Sequence, residues 1–359
     1  MTHFLWDILR QPDELQRTLD HLAGAGRVAL DAAVAAVLAG RRVYLTGIGS
    51  SWHAGLTVSA LFQVGGRPVY LVDASELVQF AAIPAESVLI VISRSGRSVE
   101  IVQLLEKARE SGATVIGITN AADGALAREA QIAIVVPVAL DHAISVNTYT
   151  TLALAAGVLA SLIVRTARNG CPTDASLADS LSRAFSAAGD YIPKWQAQIE
   201  NSGWLSPRST TYFLARGSSL GSAYEARLMW EEGVKSPATA MGAASFRHGP
   251  QEIVEKDMRF GIWIDGARMR EQDLALARDL RKLGARVMLI GQQLPEDAGE
   301  LAFQLPEIAS EWQFLIDIIP AQLVAERLAR LSGADPDTFR LCSFVVEDEA
   351  GLLPKKERG

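Results

Sequence analysis

What most constrains this chain is a regular alternation of short apolar runs with helix-type runs, punctuated by glycine. Arg42–Thr46 (RVYLT) reads as a buried strand that runs into Gly47-Ile-Gly-Ser-Ser51. Trp52–Gln63 follows as a helix closed by Gly65-Gly66. Pro68–Val72 and Ser87–Ser93 (SVLIVIS) are the next strands, the second with the apolar character of a parallel strand buried on both faces. Ser98–Ser111 is helical with Gly112 as its cap, and Thr114–Thr119 and Ile132–Val138 are further strands. The polar segment Ser145–Thr151 opens a helix running to about Val164, and helical periodicity from Pro12 to Leu38, stopped at Gly40, precedes the first strand. Strand and helix in turn predict an α/β chain, a parallel αβα sandwich with crossover helices.

The plan comes twice. Gly49-Ser50-Ser51 pairs with Gly217-Ser218-Ser219 at an offset of 168. Val91-Ile-Ser93 pairs with Trp263-Ile-Asp265, and Glu110–Ala113 with Lys282–Ala285, each at 172. Such offsets predict an internal duplication: two tandem domains, each a mainly parallel five-stranded sheet flanked by helices. A boundary is expected between Asp174 and Ile192. The organisation read from the chain is an N-terminal helical segment (1–35), a first domain (36–180), a second domain (190–347) and a C-terminal tail (348–359).

Composition excludes several classes. With 49% hydrophobic and 21% charged residues, the 359-residue chain has a sizeable core and is neither disordered nor a disulfide scaffold. Lys and Arg number 34 against 41 acidic residues, a net −7 with no basic run, so no nucleic-acid or membrane partner is expected. The two cysteines, Cys171 and Cys342, form no CxxC and suit a reducing cytosol. The N-terminus lacks a signal-peptide pattern, and apolar stretches such as Ala153–Val164 are shorter than the roughly 20 residues of a membrane helix. A soluble, cytoplasmic protein is the expectation. No HExxH or metal-like His/Asp cluster occurs, and neither a metal nor another cofactor is expected.

Two strand ends suit an anion. Gly47–Ser51 and Ser93-Arg-Ser-Gly-Arg-Ser98 each open a helix with glycine and hydroxyl residues. Helix N-terminal N–H groups and serine hydroxyls donate to anionic oxygens, and Arg94 and Arg97 add positive charge. Ser98 equally fits a plain N-cap. Ser145 lies at a third polar strand end. No Walker loop occurs, and Trp52 stands where a dinucleotide fingerprint needs its third glycine, so a single phosphate on a small molecule fits better than a nucleotide. In the second half Asp265 replaces Ser93, and a carboxylate there repels phosphate.

Acid–base candidates lie in the second half. On a helix read as Gly221–Glu232 and ended by Gly233, Glu225, Met229 and Glu232 share one face, and Glu231 points to solvent. His248 follows in the loop Ala243–Pro250. A carboxylate and an imidazole together can move protons on a sugar's carbon and oxygen atoms. Each alone also fits a surface or structural role, and His53 reads as a packed helix residue.

These segments resemble proteins with two sugar-isomerase (SIS) domains. They are similar to the isomerase half of glutamine–fructose-6-phosphate aminotransferase, to aminosugar-phosphate deaminases and to fructosamine-6-phosphate deglycases. The resemblance runs from about Ala36 to Glu347 on Gly49–Gly55 (GSSWHAG), Ile92–Ser98 (ISRSGRS), Ser145–Thr150 (SVNTYT) and Glu225 through Arg247-His-Gly-Pro250. It implies that Ser50, Ser51, Ser93, Ser95 and Ser98 hold a sugar phosphate, with Arg94 where the family usually has Gln and Ser145 on the sugar. It implies Glu232 as the base shuttling a proton between C1 and C2 of the open-chain sugar. His248 would be the ring-opening histidine, contributed in the family by the neighbouring subunit, so a homodimer with shared active sites is expected.

Three departures qualify the likeness. Residue 2 is Thr rather than the nucleophilic Cys of a glutaminase domain, so glutamine-dependent synthesis is not expected. Met229 replaces the synthase's lysine on the catalytic helix. The C-terminal sugar-contacting lysine falls on or beside Cys342, with Lys355 and Lys356 further along. The expected function is an aminosugar-6-phosphate isomerase or deaminase. The alternatives are a fructosamine-6-phosphate deglycase, a plain ketose/aldose phosphate isomerase, or a non-catalytic sugar-phosphate sensor.

Overall fold

All seven residues of Ser87–Ser93 are buried, so both faces of this strand are covered, as its apolar run requires. The computed structural model of the chain describes residues 1–169, 175–205, 209–349 and 351–352. The chain forms two compact units, each taking in a segment from the opposite end of the sequence. Residues 17–173 and 337–359 make the first unit; residues 1–16 and 174–336 make the second.

Five strands belong to the first unit: β1 (Arg42–Thr46), β2 (Tyr70–Leu71), β3 (Ser87–Ser93), β4 (Thr114–Thr119) and β5 (Ile132–Val135). They form one all-parallel sheet in the order β2-β1-β3-β4-β5. Helix α1 (His3–Leu9) and the start of α2 (Gln11–Ala23) belong to the second unit, and the rest of α2 leads into α3 (Arg27–Ala39) and α4 (Ser50–Val64) of the first. They are followed by α5 (Ala74–Gln79), α6 (Val99–Ser111), α7 (Ala125–Glu129) and α8 (Asn147–Asn169). One face of the sheet packs Leu89, Val91 and Val115 against Ile101, Leu104 and Leu105 of α6 and Leu126 of α7. Each such side chain contributes about 1.5–3 kcal/mol by burial.

The second unit repeats this topology. Its strands β6 (Thr211–Ala215), β7 (Ala238–Gly242), β8 (Arg259–Trp263), β9 (Arg286–Gly291) and β10 (Leu301–Gln304) are all parallel, in the order β7-β6-β8-β9-β10. Its longer helices are α9 (Ala175–Glu200), α10 (Ser219–Met229), α12 (Arg270–Lys282) and α13 (Ile319–Ser332), with the short α11 (Ala243–Phe246) between. The same strand permutation in both units agrees with the duplication inferred from the 168 and 172 offsets.

Several boundaries differ from the sequence reading. The run Pro12–Leu38 is two helices, α2 and α3, which meet at 71° across Gly24–Gly26. Two glycines in three residues weaken the helix enough for the chain to turn there. The strand read at Pro68–Val72 is only two residues long, and that at Ile132–Val138 ends at Val135. Helix α8 is longer than its apolar stretch implied; by length and composition it could cross a membrane, but most of it is buried inside the protein. It packs on α4 and α3 as a core helix.

Candidate functional site

In the first unit the chain leaves β1 toward β2 on one flank, and leaves the adjacent β3 toward β4 on the other. This is the switch point of an open parallel sheet, where a crevice forms beyond the carboxyl ends of the strands. Gly47–Ser51 and Ser93–Ser98 are the segments that follow β1 and β3.

Gly49, at φ 57 and ψ −133, turns the chain into α4, a conformation that disfavours any residue with a Cβ. Ser50 and Ser51 begin that helix, Ser50 half-buried and Ser51 buried. The second loop is braced by its own serines. Ser93 Oγ accepts from the Gly96 N–H at 3.0 Å, and Ser95 Oγ accepts from the Arg97 N–H at 3.2 Å. The Thr119 hydroxyl donates to the Arg94 carbonyl at 3.2 Å, which ties the loop to the end of β4. Gly96 has φ 60, and a Cβ there would lie 3.0 Å from the Leu126 Cβ.

Arg94 joins the second and third strand ends, because its Nη1 donates to Ser145 Oγ at 3.0 Å. Its Nη2 donates to the Phe344 carbonyl at 2.6 Å, and the guanidinium lies over the Phe344 ring. Arg97 instead turns outward and pairs with the exposed Asp123. Ser98 occupies the N-cap position of α6, but its side chain makes no cap hydrogen bond. The Val346 carbonyl accepts the Val99 N–H at 3.0 Å, so the C-terminal segment supplies part of the cap. In the first turn of α6, burial pushes the Glu100 carboxyl above its usual range, favouring the neutral acid beside this anion-suited terminus.

Ser145 is positioned by Asp141, a residue that no sequence motif marks. The buried Asp141 carboxylate accepts from the N–H groups of Val146, Asn147 and Thr148, from Asn147 Nδ2 and from Thr148 Oγ1, at 2.7–3.0 Å. That set caps α8 and fixes the turn carrying Ser145. An aspartate six residues ahead of a helix carries no local sequence signal of this role.

The second unit has the same cradle with carboxylates in it. Gly217 repeats the left-handed turn of Gly49, at φ 55. At the position matching Ser93, Asp265 accepts from the Ala267 N–H at 3.0 Å and the Met269 N–H at 3.2 Å. At the position matching Ser145, again offset by 172, the fully buried Asp317 accepts from Ser219 Oγ at 2.6 Å. Burial raises the Asp317 pKa to about 6, against hydrogen bonding that lowers it. Asp273, also raised by burial, accepts from Arg216 Nε at 2.7 Å. The unit's own carboxylates thus meet the groups that would otherwise face an anion.

Glu232 does not lie on the regular helix expected. Helix α10 ends at Met229 and opens into a π turn, Trp230–Val234, which carries Glu232. Glu225 and Met229 are fully buried and Glu232 is half-buried. Glu231 is exposed and 3.7 Å from Arg227. Gly233 is not the cap; Lys235 takes the left-handed position, and its ammonium donates to the Glu232 carbonyl. His248 lies exposed in the turn after α11, its N–H donating to the Ser245 carbonyl at 3.1 Å. His53 is buried in α4. Cys342 is exposed, whereas Cys171, Lys355 and Lys356 lie outside the described residues. Among the described residues no group of three or more metal-ligating side chains occurs.

Residues 39–162 match the family described as SIS domain. The chain is 26% identical over 353 residues to a glutamine–fructose-6-phosphate aminotransferase (isomerizing) of Pyrobaculum aerophilum, covering 97% of this chain and 58% of that protein. It thus spans somewhat more than half the length of that relative. Among solved structures, the C-terminal domain of glucosamine-fructose-6-phosphate aminotransferase from Francisella tularensis superposes with a TM-score of 0.82 at 20% identity, over 93% of this chain and 97% of that one. A glucosamine-6-phosphate deaminase from Thermotoga maritima gives 0.77 at 20% identity, over 96% and 99%. Residues 39–162 thus match the SIS-domain model, and the chain shares its fold with these two solved structures.

Proposed function

We propose that this chain is an aminosugar-6-phosphate isomerase or deaminase that moves a proton between C1 and C2 of an open-chain sugar. The observation that carries the reading is the braced serine loop Ser93–Ser98 beside Gly47–Ser51 at the switch point of the first sheet, with Arg94 bound to Ser145. A phosphate accepts several donors at once, and serine hydroxyls, helix N–H groups and a guanidinium supply them.

In this reading Ser50, Ser51, Ser93, Ser95 and Ser98 hold the phosphate with Arg94, and Ser145 meets the sugar. Glu232 takes the proton from one carbon and returns it to the other. His248 is the acid–base partner for ring opening, in a homodimer whose subunits share active sites. Glu232 is half-buried, and a positioned carboxylate is the kind of group that serves as a general base. The buried Met229 leaves the α10 face without the synthase's lysine, which favours deamination or isomerisation over synthesis.

The test is incorporation of solvent deuterium at C1 or C2 of glucosamine 6-phosphate and fructose 6-phosphate, with ammonia release measured in parallel. Glu232→Gln is expected to abolish exchange while sugar-phosphate binding stays nearly intact. Exchange at the parental rate in that variant overturns the assignment. Binding without exchange in the parent protein indicates a sensor.

A further inference from the structure

The π turn that carries Glu232 is anchored at both ends. At its start Trp230 is fully buried, edge-on to Phe213 at 4.9 Å and to Trp204 at 6.3 Å. At its end the N–H groups of Lys235 and Ser236 both donate to the Trp230 carbonyl. Lys235 itself sits at φ 56 and ψ 34, a left-handed conformation that glycine adopts freely and lysine does not. Gly233, two residues earlier, is not used for this purpose. The half-buried lysine side chain folds back, so that its ammonium donates to the carbonyl of Glu232. A strained backbone that holds a charged group against the residue bearing the proposed base is the kind of local cost that accompanies function.

We propose that Lys235 is a positioning residue for Glu232: its ammonium clamps the Glu232 carbonyl and so fixes the direction of the carboxylate above the π turn. The inference rests on the base role proposed for Glu232. It also returns a cation to this stretch, where the regular α10 face offers the uncharged, buried Met229. The clamp acts through the backbone of Glu232, so its loss slows proton transfer and leaves the phosphate contacts of the first unit untouched.

The experiment compares K235G, K235M and K235R in the deuterium-exchange assay with glucosamine 6-phosphate and fructose 6-phosphate, alongside thermal unfolding. Glycine suits the left-handed backbone, so K235G should melt at or above the parental temperature and separates the ammonium from the fold. The expected result for K235G and K235M is a fall in kcat of about 10- to 100-fold, the equivalent of one charge-assisted hydrogen bond, with KM within about twofold. K235R, which keeps a donor cation, should recover part of the loss. Parental kcat in K235G overturns the proposal, as does a kcat that falls only in step with melting temperature. Loss of exchange in E232Q with full activity in K235G removes the clamp and leaves the base assignment standing; full exchange in E232Q removes the reading beneath both.

Discussion

One residue of the C-terminal segment holds Arg94 in two ways: the Phe344 carbonyl accepts from its Nη2 at 2.6 Å, and the Phe344 ring lies 4.0 Å from the guanidinium carbon. With Ser145 on Nη1, the guanidinium bridges a strand-end loop, a helix start and a segment some 250 residues away. Phe344→Ala removes the ring contact but leaves the carbonyl bond. The cost in stability should be below about 1 kcal/mol, as for a solvent-accessible cation–π pair. Limited proteolysis should nevertheless cut the segment around residues 339–349 faster in the variant, and equal cutting rates would show that the ring does not hold the strap.

Ser95 offers a cleaner probe of the anion site, since its hydroxyl lies on the loop and outside the apolar core. Ser95→Ala loses one donor to a charged ligand and the brace on the Arg97 N–H. Affinity for glucosamine 6-phosphate, measured by calorimetry, should fall by about 1.5–3 kcal/mol. A change within experimental scatter would place the phosphate elsewhere.

Removing the Asp141 carboxylate should unsettle α8. Asp141→Ala leaves three backbone N–H groups of Val146, Asn147 and Thr148 without their acceptor in a buried setting, and a loss of about 3–5 kcal/mol is expected. Chemical denaturation measures it. Asp141→Asn, which keeps the shape and one acceptor oxygen, should lose less, and equal losses would argue that charge alone matters.

Asp317 makes stability depend on pH in a stated direction. Its carboxyl titrates near 6 in the folded protein against 3.8 as the ordinary value, so the native state binds the proton more tightly than the unfolded chain. The stability this confers is fully present below about pH 4 and is lost as pH rises through about 6. Asp317→Asn should flatten that slope in thermal unfolding scans between pH 4 and 7. An unchanged slope would show that other groups set it.

Much of the scaffold was legible because it rests on short-range patterns. The apolar run of β3, the glycine turns at Gly49 and Gly217 and the caps at Gly40 and Gly112 are read from a few neighbouring residues. The serine loop was legible for the same reason, including its relation to the helix that follows. What escaped depends on residues distant in sequence. Asp141 acts across a turn, the cap on α6 comes from Val346, and the pairing of each chain end with a particular unit is set by tertiary packing. The π turn was hidden by Gly233, whose position after Glu232 resembles a helix stop; the buried Trp230 and its aromatic neighbours carry the helix past it.

Asp265 has a further consequence. A carboxylate covalently tethered two residues from the N–H it accepts faces that group at an effective concentration no free anion reaches in solution. The second cradle is in this sense already saturated by its own chain. Titration with inorganic phosphate should therefore count one ion per chain, however closely the two sheets mirror each other.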